Sequence, residues 1–442
     1  MANPTNQPNH ARGATLLAAA GAGPAPVAAA AAPPQGRAFR RAQWRILLLV
    51  MFCYLFLYTG RQNFAFAAKG MQEELGLSAT QLGLFNAVLL AAYGLGQVVN
   101  GNLSDMLSAR HMVAVAAVLS FALNWGVGLS HSLLLAVVCW GANGYVQSAA
   151  WPALSRTLHH WWPQHERGKA MGFVLLAAGF SSSLTFLLCI LVVGSLDWRW
   201  VFRLPVGLLL LGGAVFFGWA RNSPEDDGFP ALPPERTEGA DAARGESSLA
   251  RYGQVLRNGR FLLACGSIGC ESIARWGLLQ WVPLYVLGPT WRQDPTGLWL
   301  TMALPLGMAA GALSAGLVAD RWFPERRGRL VLWMLTAGAL ACLLLPQALA
   351  MSKLAGMLVL GLAGFLVFGP QSTYWVLCPL LVGRERAGTA TGLMDAAAYG
   401  SAALGQLLIG WTIDVTQSAA SAFVVIAAVC LLGAVAIIPV RR

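Results

Sequence analysis

The chain has 442 residues, of which 57% are hydrophobic and 11% charged, with a formal net charge of +11. Soluble domains carry about 25% charged residues, and single soluble cores stop growing near ~250–300 residues. So few charges cannot cover a soluble surface, so the composition excludes a soluble enzyme, a disordered tail protein and a nucleic-acid reader, and points to an all-α polytopic membrane protein.

Along the chain, residues 1–44 form an Ala- and Pro-rich tail read as disordered and cytoplasmic. Pro24 and Pro26 interrupt the apolar run Leu16–Ala32, which argues against a signal peptide. Twelve apolar segments follow, near 45–68, 79–103, 112–130, 132–154, 168–195, 200–221, 260–288, 297–319, 329–349, 353–380, 386–412 and 419–440. The long polar interruption 222–259 holds Pro224, Glu225, Asp226, Asp227, Pro233 and Pro234, the composition of a solvated linker. It divides the chain into a six-helix bundle over 45–221 and a second over 260–442. All eight cysteines fall in predicted spans without metal-ligand spacing, and they read as small buried apolar residues.

The halves echo one another. Gly101, Asp105 and Arg110 follow the second segment; Gly316, Asp320 and Arg321 follow the eighth, with the Gly and Asp offset by 215 positions. Glu166-Arg167-Gly168 is echoed by Glu385-Arg386-Ala387-Gly388, offset by 219. Two pseudo-symmetric six-helix bundles with matching loops place a binding site near the midplane between them, with these loops as candidate gates.

The doubled Gly-x-x-x-Asp…Arg loop resembles the signature of the major facilitator superfamily. Within it the chain resembles the organophosphate:phosphate antiporter family, the glycerol-3-phosphate and hexose-phosphate transporters. The matching stretches include Tyr58-Thr-Gly-Arg61-Gln-Asn63-Phe64, Tyr93-Gly94, Trp151-Pro152, Asn222-Ser-Pro-Glu-Asp, Arg275-Trp-Gly-Leu-Leu-Gln-Trp281 and Tyr399-Gly400.

Two arginines lie well inside predicted spans, Arg61 in the first and Arg275 in the seventh, offset by 214. An arginine at mid-membrane costs at least ~2.5–3.5 kcal/mol, so such residues usually face a pathway. Guanidinium is a planar fork that fits phosphate or carboxylate oxygens bidentately. The resemblance implies that Arg61 and Arg275 bind the substrate phosphate, with Tyr54, Tyr58 and Tyr399 beside them. Tyr54, Tyr58 and Arg61 stand at i, i+4 and i+7, one face of a continuous helix. The chain also departs from the glycerol-phosphate branch, with Gln62 and Gln97 where that branch has lysines. It gains Glu271, four residues before Arg275 and able to bond it directly, and Asp395 in the eleventh span. Ionised, these two carboxylates would offset both arginine charges.

The expected function is secondary active transport that exchanges a small organic phosphate or phosphonate for inorganic phosphate by alternating access. The alternatives are a proton-coupled symporter of another organic anion and a hexose-phosphate-sensing membrane receptor. No P-loop or serine-hydrolase motif is present in the sequence, no cofactor or metal is expected, and the chain is read as a monomer in the inner membrane.

Of the 30 Lys and Arg residues, 23 fall on one side of this topology, 5 on the other and 2 inside spans. That asymmetry predicts cytoplasmic termini and a cytoplasmic linker. Cysteines introduced near Asp227 and near Lys69 are therefore expected to react with an impermeant reagent from opposite sides of sealed vesicles. Labelling of the linker position from outside the cell would reverse the orientation.

Overall fold

In a computed structural model of the chain, residues 36–232, 248–287, 296–323, 326–383 and 386–440 are described. Residues 1–35 of the expected tail, 233–247 of the linker, Arg384, Glu385, Arg441 and Arg442 lie outside them, as does the side chain of Asp105. No strand occurs among the described residues.

Among the described residues, ten helical segments are long and apolar enough to cross a membrane. They are Arg37–Leu75, Ala79–Ser104, Ala109–Leu129, Leu133–Trp161, Glu166–Ser195 and Trp198–Trp219, then Gly297–Trp322, Arg327–Met351, Lys353–Val382 and Ser421–Val440. Two more helices, Gly259–Leu287 of 29 residues and Ala387–Thr416 of 30, stand seventh and eleventh and complete twelve spans in two six-helix bundles. Their apolar character is diluted by Glu271, Ser272, Arg275 and Gln280 in one, and by Asp395, Tyr399 and Gln406 in the other. Polar residues are thus concentrated in the spans that the bundle must shield from lipid.

Local chemistry sets the helix ends. Gly76, at φ 65°, ends the first span in the left-handed conformation that glycine adopts without strain. Ser78 then starts the second with a reciprocal cap: its Oγ accepts from Gln81 N at 3.2 Å, and Gln81 Oε1 accepts from Ser78 N at 2.9 Å. The first helix begins at Arg37 and not near residue 45. Phe39, Ala42, Ile46 and Leu47 bury one side of it while Arg37, Arg40, Arg41 and Arg45 occupy the other, so the amphipathic pattern extends the helix beyond the purely apolar run. Within the polar stretch after the sixth span, Ser248–Leu256 is also helical.

Several spans are not continuous α-helices, and three of the breaks lie well inside the span. The fourth divides into Leu133–Gln147 and Ala150–Trp161, and the tenth into Lys353–Phe368 and Gln371–Val382 around Gly369-Pro370. The first breaks between Leu57 and Phe64. Beyond that break Phe64 packs on Phe85 at 4.5 Å between ring centroids, and Phe85 stacks on Trp140 at 5.5 Å, which ties the first span to the second and fourth.

The two halves meet where the second and eleventh spans cross, at the end remote from the arginine-rich loops. Asp414 of the eleventh span accepts from the backbone N–H groups of Ala79 and Thr80, both at 2.8 Å, and from Thr80 Oγ1 at 2.5 Å. A carboxylate is favoured there because the first N–H groups of a helix lack intrahelical partners and carry partial positive charge. The backbones approach so closely that a Cβ on Gly83 would collide with the Gln406 carbonyl, and one on Gly410 with that of Ala79.

Candidate functional site

The first span ceases to be α-helical after Leu57. A 3-10 turn, Tyr58–Gly60, and a non-helical stretch through Asn63 intervene before the helix resumes. Such a break frees backbone carbonyls that lipid cannot satisfy, so protein donors must replace the lost helical bonds. Two asparagines do so. Asn143 Nδ2 of the fourth span donates to Gly60 O at 2.7 Å, and Asn124 Nδ2 of the third span donates to the same oxygen at 3.2 Å. Asn63 Nδ2 donates to Asn124 Oδ1 at 3.0 Å and to Val201 O at 2.9 Å. Ser120 Oγ donates to Asn143 Oδ1 at 2.6 Å and accepts from Gln147 Nε2 at 3.0 Å. All five side chains are buried. Gly60 must be glycine-sized, because a Cβ there would collide with the Gln147 amide.

Arg61 follows directly, with φ −144° and ψ −14°. Its guanidinium carbon lies 4.2 Å from the Tyr58 ring centroid and 4.9 Å from that of Tyr93. The residue is only 4% exposed, its Nε is buried without a partner, and its side chain makes no hydrogen bond or ion pair among the described residues. Arg275, 7% exposed, sits on a continuous helix; its carbon lies 4.3 Å from the Phe368 centroid and 5.5 Å from that of Trp276. Its Nη1 donates to Gln371 Oε1 at 3.0 Å, and its Nε has no partner.

The Tyr58 phenol interacts electrostatically with both Arg61 and Arg275, and so does the Asp395 carboxylate. The two guanidiniums therefore border one site. Tyr399 closes it from the eleventh span, with its ring 4.5 Å from Tyr93 and 6.3 Å from Trp276. Tyr54 lies behind Tyr58 at 5.9 Å and against Trp151 at 5.7 Å. Arg61, Arg275, Tyr54, Tyr58, Tyr399 and Asp395 are thus brought together. The expected continuous face is not the reason: the turn after Tyr58 aims Arg61, and the i+7 spacing does not.

Glu271 is fully buried. Its Oε2 accepts from Ser272 Oγ at 3.3 Å, and its Oε1 has no hydrogen-bond partner. The expected direct bond to Arg275 does not form, because Arg275 reaches across to Gln371 and Phe368 of the tenth span. Sequence reasoning gave no role to Tyr93, Trp276, Phe368, Gln371 or the amide cluster. The available signal was a set of amides (Asn63, Asn124, Asn143 and Gln147) inside otherwise apolar spans.

The candidate gating loops are each held within their own half. Arg110 donates from Nε and Nη2 to Phe217 O at 2.8 and 2.5 Å, and its backbone N–H donates to Asn222 Oδ1 at 3.2 Å. Asp320 pairs with Arg327 at 2.7 Å and not with the adjacent Arg321. Arg156, on the fourth span, donates to the carbonyls of Ser104 and Leu107 beside the first loop. A Cβ on Gly101 would meet nothing within 4 Å, and one on Gly316 only Ser372 Oγ at 3.8 Å.

Residues 50–406 match the Major Facilitator Superfamily, and the chain belongs to that family of transporters, not to an enzyme family. It is 26% identical to a probable hexose phosphate transport protein of Chlamydia pneumoniae, over 84% of this chain and 86% of that protein. It is likewise 26% identical to SauU of Cupriavidus necator, a probable sulfoacetate transporter, over 90% and 94% of the two chains. Among solved structures it resembles a bacterial homologue of the human lysosomal transporter Spinster, inward-facing and unoccupied. The TM-score is 0.69 at 13% identity, over 90% of this chain and 95% of that one, a likeness of fold.

The amide cluster is testable apart from any ligand. Replacing Asn143 by Ala removes a donor to Gly60 O and an acceptor for Ser120, and is expected to cost about 1–3 kcal/mol. In detergent this appears as a lower Tm. An Asn124→Ala, Asn143→Ala double variant should lose more than the sum of the single losses, because either donor alone still serves the Gly60 carbonyl and only the loss of both leaves it unpaired. Full additivity would mean that the two act independently.

Proposed function

We propose that this member of the major facilitator superfamily carries a small organic phosphate or phosphonate in exchange for inorganic phosphate, by alternating access of the site between Arg61 and Arg275. The observation that supports this most is the state of Arg61: a buried guanidinium with no hydrogen bond and no ion-paired carboxylate among the described residues. A permanently charged group held this way keeps its donors for an anion from outside the protein. Arg275 adds a second fork from the other half, and Tyr58 lies within reach of the field of both. The hexose phosphate relative favours a phosphate-bearing cargo. On this reading the arginine-rich face is cytoplasmic, the contact of Asp414 with Thr80 closes the opposite face, and the candidate loops at Gly101, Asp105, Arg110, Gly316, Asp320 and Arg321 move with their own halves.

A second reading keeps transport but changes the cargo to a phosphate-free organic anion taken up with protons. Glu271, with one oxygen unpartnered, and Asp395, in the field of both arginines, favour it, as does the sulfoacetate relative. Proteoliposomes separate the readings. Exchange of internal for external phosphate supports the antiporter, pH-driven uptake without internal phosphate supports symport, and binding without flux would mark a sensor.

Two substitution series follow from this proposal. Arg61→Lys and Arg275→Lys keep the charge but lose the fork, and each is expected to abolish most transport at near-normal protein levels. If either transports at more than about half the native rate, that arginine is not an essential bidentate ligand. Glu271→Gln and Asp395→Asn each remove a counter-charge. At ~5 Å and an effective dielectric of ~20 a unit pair is worth ~3 kcal/mol, and screening by water reduces this to an expected gain of about tenfold in affinity for doubly charged phosphates. Competition by phosphates, aminophosphonates and carboxylates at two pH values reads the change. Unaltered ranking and pH dependence in both variants would assign the carboxylates to structure alone.

A further inference from the structure

Outside the site between the halves, the chain builds a second basic feature that transport of a soluble anion does not use. A groove of about 760 Å³ runs along the first helix where it enters the membrane region, lined by Arg37, Arg41, Trp44, Leu48, Phe52 and, from the sixth span, Val215. Arg40 and Arg45 line it as well. These positions recur at the helical repeat, so one face passes from charge through an aromatic ring to purely apolar side chains.

The four arginines are not equivalent. Arg40 is paired to Glu166, and Arg45 to Asp227. Arg37 and Arg41, at i and i+4, are exposed and have no partner among the described residues. The helix starts at Gly36 without a side-chain cap and with no acidic residue in its first turn, so its positive end is uncompensated at the same place. One turn further along the helix, Trp44 is held by edge contacts to Trp162 at 5.7 Å and Phe173 at 5.6 Å, and tryptophan is the residue enriched at the headgroup boundary. Leu48 is exposed below it, where an acyl chain would run.

We propose that this groove is a binding site for an anionic phospholipid of the leaflet that borders the arginine-rich face. Arg37 and Arg41 hold the headgroup phosphate, Trp44 sits at the glycerol level, and one acyl chain lies along Leu48, Phe52 and Val215. A soluble phosphate would use the arginines and leave the apolar floor wet. A neutral lipid would use the floor and leave two unpaired guanidiniums. Only an anionic lipid matches both ends, and the proposal does not depend on what the transporter carries.

The test uses the full chain in detergent, titrated with phosphatidylglycerol, phosphatidylcholine or inorganic phosphate, with bound lipid counted by native mass spectrometry and stability followed by Tm. Phosphatidylglycerol is expected to bind and raise Tm and phosphatidylcholine is not; inorganic phosphate, which stabilises the protein through any site between Arg61 and Arg275, is expected not to displace the bound phosphatidylglycerol. The Arg37→Gln, Arg41→Gln double variant should bind phosphatidylglycerol roughly 25-fold more weakly, at about fivefold per arginine near an anionic headgroup. Arg326→Gln with Arg329→Gln removes the same net charge on another loop and should leave binding within about twofold. Equal weakening by both double variants would reduce the effect to bulk charge. Equal binding of phosphatidylcholine, or displacement of phosphatidylglycerol by inorganic phosphate, would likewise overturn the site.

Discussion

The N-terminal half is arranged around one permanent charge that has to be kept inside a membrane-spanning bundle with its donors unspent. An arginine at that depth costs at least ~2.5–3.5 kcal/mol, and Arg61 stands on backbone that has itself given up helical hydrogen bonds. The chain meets the two costs with different groups. Asn124 and Asn143 replace the lost backbone bonds at Gly60. Tyr58 and Tyr93 face the guanidinium, each contact contributing about 0.5–2 kcal/mol. A ring face stabilises the cation from above its plane and consumes none of the N–H donors, which point outward within that plane. A carboxylate partner would have offset the charge equally well and left little for an anion to bind. On the proposed function, these aromatic faces, with no carboxylate bonded to Arg61 among the described residues, leave its donors available to an anion.

Arg275 solves the same problem by other means, so the pseudo-symmetry of the halves is one of placement and not of support. Its helix runs unbroken from Gly259 to Leu287, no amide cluster lies behind it, and one of its nitrogens is committed to Gln371. The tenth span, broken at Gly369-Pro370, places Phe368 under the guanidinium just before the break and Gln371 just after it. In the N-terminal half the arginine's own span breaks, whereas in the C-terminal half the neighbouring span breaks to receive it. Arg275 therefore has one donor committed to Gln371, and Arg61 has none committed to a side chain or backbone among the described residues.

Much of this was legible in the residues, and the limits have physical causes. Hydropathy marks the spans because lipid allows few alternatives, and the seventh and eleventh stand out because their polar residues must face inward. Both arginines are visible for the same reason. What failed was reasoning that assumed an ideal helix. Tyr54, Tyr58 and Arg61 would share a face if the first span were continuous, but Tyr58-Thr-Gly forms a 3-10 turn because donors from the third and fourth spans reward the break. Glu271 and Arg275 have the spacing of an ion pair, yet Arg275 finds its partners on another span. In both cases tertiary contacts, which local periodicity does not encode, decided the side chain's direction. The extension of the first helix to Arg37 was hidden for the opposite reason: exposed arginines masked a local amphipathic pattern that was present all along.

The two acids of the site, Glu271 buried and Asp395 half-buried, give the last step its direction. On the proposed exchange, an empty site with two free guanidiniums resists closing, because closure removes the water that screens them, and a bound anion removes that resistance. This would make exchange obligatory in a site of arginines alone. Here Asp395 interacts with both arginines, and Glu271 lies close enough to act on Arg275 without bonding it. When both acids are ionised the empty site is near neutral and the barrier to closing it weakens; when both are protonated the arginine charge is restored. On the proposed function, the protonation state of these two residues would decide whether the empty protein can turn over. Exchange and proton coupling then become two regimes of one electrostatic balance, set by groups that do not need to touch the cargo.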